Sequence, residues 1–189
     1  FLILWVIILS ILYSTLSILR HMHFQSGGFD LGIYDQAVWQ YSNFLFPYNT
    51  IKERLILGDH LTLTLPLLAP LYWIWDNVKI LLIFQSIWIS FSTVAVYLVT
   101  KIRKFSPFVC FSIAFLYSLF YGIQFAIFFD FHPIVIGIGL FAWSIYFLEA
   151  KRKKLFLLSL TLALFTQEDM GLVLAGLGFI YFFRKGYRK

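Results

Sequence analysis

Long apolar runs without a charged residue dominate this sequence and decide its fold class. The stretches 1–19, 80–100 and 105–129 contain no Asp, Glu, Lys or Arg. A helix needs roughly 20 apolar residues to cross about 30 Å of hydrocarbon, so these runs have the length of membrane spans. Lipid offers the backbone no hydrogen bonds, so the crossings must be helices or a closed barrel, and these runs lack the alternation of strands. The sequence therefore predicts an all-α, polytopic transmembrane helical bundle.

Composition agrees with a membrane location and excludes other classes of protein. The chain is 61% hydrophobic and only 13% charged, unlike a soluble domain. Its net charge of +6 does not indicate nucleic-acid binding, because Lys and Arg lie in short clusters at the ends of apolar runs. The single cysteine, Cys110, lies within such a run, so we expect neither a disulfide nor a thiolate metal site.

The apolar runs divide the chain into spans around one long polar loop. We expect spans at about 1–19, 80–100, 105–129, 134–149, 155–166 and 170–183, within a single transmembrane domain that covers 1–189. The loop 20–78 is predicted to hold interfacial helices and a re-entrant segment, Leu61–Trp75, which is short and contains Pro66 and Pro70. The chain begins inside an apolar run, which we interpret as a fragment of a longer protein.

Basic clusters predict which loops share one side of the membrane. "KIRK" (101–104), "KRKK" (151–154) and "RKGYRK" (184–189) are expected on the cytoplasmic face of the cell membrane. The block between the last two clusters must then cross an even number of times, so it divides into two short helices at "TQED" (166–169). Every hairpin between the clusters turns on the extracytoplasmic face. That face collects His21, His23, His60, His132, Asp30, Asp35, Glu53, Asp59, Asp76, Asp130, Glu168 and Asp169, and only Glu149 lies inside.

The stretch "GGFDLGIYDQAVWQ" (27–40) predicts an amphipathic helix that begins at Asp30 and lies at the membrane surface. Its apolar stripe is formed by Leu31, Tyr34, Val38 and Tyr41. An N-cap role alone explains Asp30. A carboxylate held there also stays ionised and can accept a proton or bind a metal, which is the functional alternative. Asp35 follows one and a half turns later and need not point the same way.

Three further motifs place polar groups on the same face. "GDH" (58–60) supplies Asp59 and His60, and "DFHP" (130–133) supplies Asp130 and His132. Capped turns explain most of these residues, although a turn does not require His132. "TQED" supplies Gln167, Glu168 and Asp169. Adjacent carboxylates are costly at membrane depth and usually face a cavity or a partner there, whereas a short extracytoplasmic turn is the simpler alternative.

In their order along the chain, "FDLGIYDQAVWQ", "GDH", "LLAPLYWIW", "FHP" and "QEDMGLVLAGLG" resemble a bacterial and archaeal family of predicted membrane proteins, domain of unknown function 2079. The resemblance covers nearly the whole chain, and the motifs are specific only as a set. That family is similar to the C-type glycosyltransferases, polytopic enzymes that move a sugar from a polyprenyl-phosphate carrier to an acceptor on the outer face. The resemblance therefore implies a glycosyltransferase-like fold and enzyme, with membrane lipid and polyprenyl phosphate as partners.

The resemblance also implies roles for individual residues. Asp30, with Asp35 second, matches an acid of the first outer loop that acts as general base or orients the acceptor. Glu168 and Asp169 match acid of a later loop that helps to build the active site. Gln167 stands where Lys or Arg is expected for the lipid phosphate, and Ile134 follows "FHP" where an acid is expected. The remaining candidates for phosphate binding are then Arg20, Lys52, Arg54 and the histidines.

We accordingly predict catalytic roles for Asp30, Asp35, Glu168 and Asp169. Substrate binding is predicted for Asp59, His60, His132, Gln167 and Arg20. The sequence leaves open a divalent cation, Mg²⁺ or Mn²⁺, at Asp30 and Asp130, where it would stabilise the departing phosphate.

Two other functions are compatible with the same residues. One is a transporter with a metal or proton path lined by Asp59, His60, Asp130, His132, Glu168 and Asp169. No two histidines have the i, i+4 spacing of a good helical metal site. The other is a non-catalytic scaffold, which is favoured if the outer acids are scattered rather than gathered.

Overall fold

The structure, a computed structural model, describes residues 1–183 and is almost wholly helical. Its helices are α1 (Leu2–Met22), α2 (Ile33–Ser42), α3 (Ala69–Ile74), α4 (Lys79–Ile102), α5 (Pro107–Ser118), α6 (Tyr121–Phe128), α7 (Ile134–Glu149), α8 (Lys153–Leu164) and α9 (Met170–Phe182). The prediction of a helical membrane protein is confirmed. The basic cluster 184–189, predicted to be cytoplasmic, lies outside the described residues.

Two helices are each long and apolar enough to cross a membrane. α1 has 21 residues and α4 has 24, which correspond to roughly 30 to 36 Å at about 1.5 Å per residue. The two helices pack against each other, and α1 buries a single stripe formed by Leu9, Tyr13 and Ser17. Apolar side chains elsewhere on α1, such as Ile3 and Ile11, are exposed, as expected for contact with lipid.

The predicted span at 105–129 is formed by two helices in the structure. α5 and α6 meet at an angle of 44°, and as a bent pair they are long enough for one span. A break in a helix frees backbone carbonyls, which need partners when they are away from water. The hydroxyl of Tyr13 donates to the carbonyl of Ser118 (2.6 Å), and that of Ser17 donates to the carbonyl of Ile127 (3.0 Å). Tyr13 therefore satisfies a carbonyl at the break, whereas Ser17 satisfies one at the end of α6.

α4 and α7 make a close contact at the centre of the bundle. α4 also packs against α5, and α7 packs against α8. A Cβ atom at Gly139 would lie 2.2 Å from Nε1 of Trp88. The same indole nitrogen donates to the carbonyl of Ile136 (3.1 Å). The contact therefore requires a glycine at position 139.

The last apolar block is divided at "TQED", as the sequence predicts. α8 ends at Leu164 and α9 begins at Met170, so both carboxylates lie in the turn between them. A Cβ atom at Gly137 would lie 2.7 Å from Oγ1 of Thr166, which places this turn against the start of α7. α7, α8 and α9 have 16, 12 and 13 residues, fewer than the roughly 20 of a straight crossing. Their crossing of the membrane stays a prediction.

The loop 20–78 contains a small β-hairpin that the all-α prediction did not include. β1 (Tyr48–Asn49) pairs antiparallel with β2 (Arg54–Leu55). The buried side chain of Asn49 organises the turn, because its Oδ1 accepts two backbone N–H groups there. Its Nδ2 donates to the carbonyl of Ile33 (3.2 Å), which fixes the hairpin to the start of α2.

α2 is more deeply buried than the surface helix that the sequence predicts. The predicted stripe is buried at Leu31, Tyr34 and Val38, but Ile33 and Ala37 are buried too. The reason is that α2 is covered by α3 and the hairpin. The segment predicted to be re-entrant forms a short apolar helix, Leu65–Ile74, which at about 1.5 Å per residue is too short to cross.

Candidate functional site

Four loop segments meet at one end of the bundle, which we call the polar end. They are the segment after α1 (20–32), the "GDH" segment (58–62), the "DFHP" segment (129–133) and the "TQED" turn (165–169). Ion pairs join segments that are far apart in sequence. The sequence predicts this gathering of acids and histidines from charge alone, but it does not predict the pairs.

The central contact of the polar end joins Asp30 and His132. Nε2 of His132 lies 3.1 Å from Oδ1 of Asp30, and Nδ1 lies 3.0 Å from the backbone carbonyl oxygen of Asp130. Both ring nitrogens thus face oxygen atoms that can accept a hydrogen bond. Both contacts are hydrogen bonds when each ring nitrogen carries a proton. They are also both satisfied when the proton between Nε2 and Oδ1 resides on Asp30 and the Nδ1 proton stays on the ring. The Asp30 and His132 side chains are 34% and 22% exposed, so the pair is accessible from the surface of the protein.

Asp130 holds the polar end together from a buried position. Its side chain is 3% exposed, with Oδ1 3.1 Å from Nη1 of Arg20. Its Oδ2 accepts the backbone N–H of Gly27 (2.6 Å), and Arg20 also donates to the carbonyl of Gln25 (2.6 Å). Arg20 therefore has structural partners in place of the phosphate that the sequence analysis assigned to it.

A divalent cation at Asp30 and Asp130 does not fit this arrangement. Both oxygens of Asp130 already have donors, from Arg20 and the backbone of Gly27. Within residues 1–183, no three His, Cys, Asp or Glu side chains converge on a position for a metal ion. The predicted metal ligands are therefore better explained as an ion pair and a carboxylate–imidazole pair.

His60 and Glu168 form the second pair between distant segments. Nδ1 of His60 lies 2.7 Å from Oε1 of Glu168, and Oε2 of Glu168 accepts the backbone N–H of Leu61 (3.1 Å). The hydrogen bond from His60 lowers the pKa of Glu168, and the bond from Leu61 adds to this effect. The backbone N–H of Thr64 also donates to the carbonyl of Phe165 (3.2 Å). The "TQED" turn is thus fixed to the segment before α3.

Tyr34 lies among these carboxylates and was missed as a functional residue. The sequence places it on the apolar stripe, and its side chain is indeed buried. Burial, followed by the nearby charges of Asp59, Asp30 and Glu168, raises the pKa of its hydroxyl, which therefore stays protonated. Its ring packs edge-on against His132, with centroids 5.4 Å apart. Among the described residues its hydroxyl has no hydrogen-bond partner, so it is a free donor at the polar end.

Lys52 is a partly exposed cation beside the polar end. Its Nζ lies 3.4 Å from Oδ1 of Asp59 and 5.8 Å from the centroid of the Phe29 ring, and the side chain is 30% exposed. Asp59 is paired with Lys52 in turn, and it lies near Tyr34. Such a partly exposed pair opens easily, because a surface ion pair contributes about 1 kcal/mol or less.

The remaining predicted residues lie outside these pairs. Asp35 accepts a hydrogen bond from the hydroxyl of Tyr72, and burial raises its pKa while this bond lowers it. The bond from Tyr72 links α2 to α3. Asp169 is exposed at the start of α9, without a side-chain capping bond. Gln167 makes no side-chain hydrogen bond within residues 1–183.

The predicted N-cap role of Asp30 is wrong. A π-helical turn, Gly28–Gly32, precedes α2, and its N-cap is Gly27. Asp30 lies inside this turn, so its carboxylate projects towards His132 instead of the free backbone N–H groups. The sequence could have suggested this only through "GG", which allows an unusual start to a helix.

Comparison with known protein families places the chain among predicted membrane proteins. The family of predicted membrane proteins designated domain of unknown function 2079 (DUF2079) matches residues 20–189. The chain belongs to this family. The matched region begins at Arg20 and includes every paired residue of the polar end, so this site is a feature of the family region of the chain. No curated protein and no solved structure matches the chain.

Proposed function

We propose that the polar end is the active site of an integral membrane glycosyltransferase. In this proposal, a sugar moves from a polyprenyl-phosphate carrier to an acceptor hydroxyl at the extracytoplasmic face. The contact that supports it best is Asp30 with His132, at 3.1 Å, because it combines an accessible carboxylate with a positioned proton donor. The resemblance to C-type glycosyltransferases, which assigns the first-loop acid a catalytic role, supports the same residue.

Asp30 is the general base of the proposed reaction. Its carboxylate takes the proton from the acceptor hydroxyl as the acceptor oxygen bonds to the anomeric carbon. The bond between that carbon and the phosphate oxygen breaks, and the electron pair leaves with the polyprenyl phosphate. His132 holds Oδ1 of Asp30 through Nε2, which orients the carboxylate towards the acceptor.

Positive charge and hydrogen-bond donors assist the departing phosphate. Lys52 is the proposed cation, because it is partly exposed and its pairing with Asp59 is long, at 3.4 Å. Arg20 is bound to Asp130 and is left with a positioning role. The protonated hydroxyl of Tyr34 donates to a substrate oxygen in this proposal, since no side chain or backbone group of residues 1–183 accepts it.

The contacts favour this enzyme over the transporter alternative. A metal path would need ligands that share one position, whereas the acids and histidines of the polar end form separate pairs. A scaffold would not need the accessible, proton-sharing pair. The Asp30–His132 pair is therefore the feature that favours an enzyme over a transporter or a scaffold.

Native mass spectrometry of the full-length protein after mild extraction tests the proposed substrate. We expect a co-purified polyprenyl phosphate, with or without its sugar. In cells, Asp30→Asn should change the glycolipid or glycoprotein profile, whereas Glu53→Gln, an exposed acid of the same loop, should not. Absence of the lipid, together with an unchanged profile for Asp30→Asn, would contradict the proposal.

A further inference from the structure

An apolar groove runs along α8 towards the end of the bundle opposite the polar end. It has a volume of about 360 Å³ and is lined by Trp88, Phe91, Trp143, Phe147, Leu155 and Leu158, among others. The hydroxyl of its polar member, Ser159, accepts a hydrogen bond from Ser144 and donates one to the carbonyl of Phe156. Apart from the indole N–H of Trp143, which is buried without a hydrogen-bond partner among the described residues, the lining offers no free polar group, which suits a hydrocarbon chain.

The groove continues towards the middle of the bundle. A neighbouring cavity of about 200 Å³ shares Trp88, Leu140 and Leu162 with it. Between Leu155 and Leu162, α8 rises by roughly 10 Å, at about 1.5 Å per residue. An extended lipid chain thus has a continuous apolar path from the start of α8 inwards.

Basic residues surround the end of the groove where α8 begins. α8 starts at Lys153, directly after its N-cap, Arg152. Lys154 precedes Leu158 by four residues and Arg152 precedes Leu155 by three, so the two residues flank the side of α8 that lines the groove. No ion pair or side-chain hydrogen bond involves the basic residues 151–154 within the part of the chain that the structure describes.

The nearest acid does not neutralise this basic group. Glu149 pairs with Arg103, whose Nη2 lies 2.8 Å from Oε1, and it accepts a hydrogen bond from Tyr181. Its side chain is 7% exposed. The first turn of α8 contains no acidic residue, and its N-cap side chain makes no capping bond. The positive end of the helix dipole and the basic side chains therefore favour an anion at the same place.

We propose that this groove binds an anionic phospholipid, with one acyl chain along α8 and the phosphate beside Arg152 and Lys154. The occupant is argued from charge complementarity, because a neutral lipid would leave the basic mouth of the groove without a partner. The site is separate from the polar end, so it does not depend on the proposed transfer reaction. Its ligand is a lipid of the surrounding membrane and not the sugar carrier.

Tryptophan fluorescence quenching in nanodiscs tests this site on the full-length protein. The probes are phosphatidylglycerol and phosphatidylcholine with brominated acyl chains, each added at the same low mole fraction. Brominated chains quench a tryptophan only on contact, and comparison with Trp143→Phe isolates the emission of Trp143. We expect brominated phosphatidylglycerol to quench Trp143 at clearly lower mole fraction than brominated phosphatidylcholine.

Charge variants on the two sides of α8 make the test specific. The double substitution Arg152→Gln, Lys154→Gln should reduce the preference for phosphatidylglycerol roughly 25-fold, because each basic residue near a lipid surface contributes a factor of about five. Lys153→Gln removes the same charge on the opposite side of the helix, so it should reduce the preference much less.

Three results would overturn the proposal. Equal quenching by both lipids would mean that only ordinary surrounding lipid contacts Trp143. No quenching by either lipid would mean that another protein segment covers the groove. An equal loss for Lys153→Gln and Lys154→Gln, tested as single substitutions, would mean that overall charge and not this groove selects the lipid.

Discussion

Nδ1 of His60 lies 2.7 Å from Oε1 of Glu168, although the two residues are 108 positions apart in the sequence. The other carboxylate oxygen of Glu168 accepts the backbone N–H of Leu61. One side chain thus fixes the turn between α8 and α9 to the segment before α3. The last two helices are thereby coupled to the polar end.

This connection should weaken in acid. The pKa of Glu168 is lower than usual, chiefly because of the hydrogen bond from His60. A carboxyl with a lowered pKa stabilises the folded state above its ordinary pKa, and the contribution is lost as the pH falls through the folded value. After correction for intrinsic rates, we expect the Leu61 amide to exchange faster with deuterium as the pH falls below about 4.

Two variants separate Glu168 from its neighbour. Glu168→Gln should remove this pH dependence, whereas Asp169→Asn, in an adjacent exposed carboxyl, should leave it intact. The pair is partly exposed, so the effect on the free energy of unfolding should be about 1 kcal/mol or less. An unchanged pH dependence in Glu168→Gln would contradict the assignment.

Tyr72→Phe should destabilise the contact between α2 and α3. The variant removes the hydroxyl that donates to the half-buried carboxylate of Asp35, and an unsatisfied buried acceptor costs about 1 to 3 kcal/mol. Loss of this bond also raises the pKa of Asp35, which burial already raises. Because a raised carboxyl pKa reduces stability as the pH rises through it, the deficit should shrink in acid. Thermal unfolding at several pH values measures this loss of stability, with Tyr48→Phe, at an exposed tyrosine, as control. Equal stability of the two variants would refute the prediction.

Gly139→Ala should disrupt the packing of α4 on α7. The added Cβ would lie 2.2 Å from Nε1 of Trp88, and such overpacking typically costs about 1 to 3 kcal/mol. Gly176→Ala in α9 is the matched control, since no atom lies within 4 Å of its Cβ position. Unfolding of the two variants in detergent should show a lower Tm for the first alone. A similar Tm for both would argue against the close contact.

Tyr34→Phe should reduce activity without loss of stability. Within residues 1–183 the Tyr34 hydroxyl has no partner, so its removal leaves no protein group unsatisfied. If the hydroxyl donates to the substrate, kcat/KM should fall roughly tenfold, which corresponds to about 1.4 kcal/mol of lost binding in the transition state. The unfolding midpoint should stay that of the wild type. A large loss of stability with unchanged activity of the folded fraction would indicate a purely structural tyrosine.

The sequence predicts the class of fold because the bilayer restricts it strongly. Uncharged runs require helices, and clusters of Lys and Arg separate one end of the bundle from the other. The break between α5 and α6 was not predictable from the 105–129 run, because Tyr13, which donates to the carbonyl of Ser118 at the break, belongs to α1. The hydrogen bond from Tyr13 forms only when α1 packs against α5 and α6.

The candidate site was predictable as a set of residues but not as a set of pairs. Charge placed Asp30 and His132 on one face, yet their contact joins residues 102 positions apart. The partners of Asp130, predicted as a metal ligand, were not predictable either. Its two oxygens accept hydrogen bonds from Arg20 and from the backbone N–H of Gly27. Tyr34 was assigned to packing because its spacing is that of an apolar stripe, and the acids near it come from segments distant in sequence.

The most direct test of the proposed function is sugar transfer by the purified full-length protein in lipid. A labelled polyprenyl-phosphate sugar is supplied, and the release of polyprenyl phosphate is measured for the wild type, Asp30→Asn and Glu53→Gln. We predict turnover by the wild type and by Glu53→Gln, and a loss of at least about 100-fold for Asp30→Asn, the range of a missing general base. Turnover by Asp30→Asn at the wild-type rate, or no turnover by any of the folded proteins, would contradict the proposal.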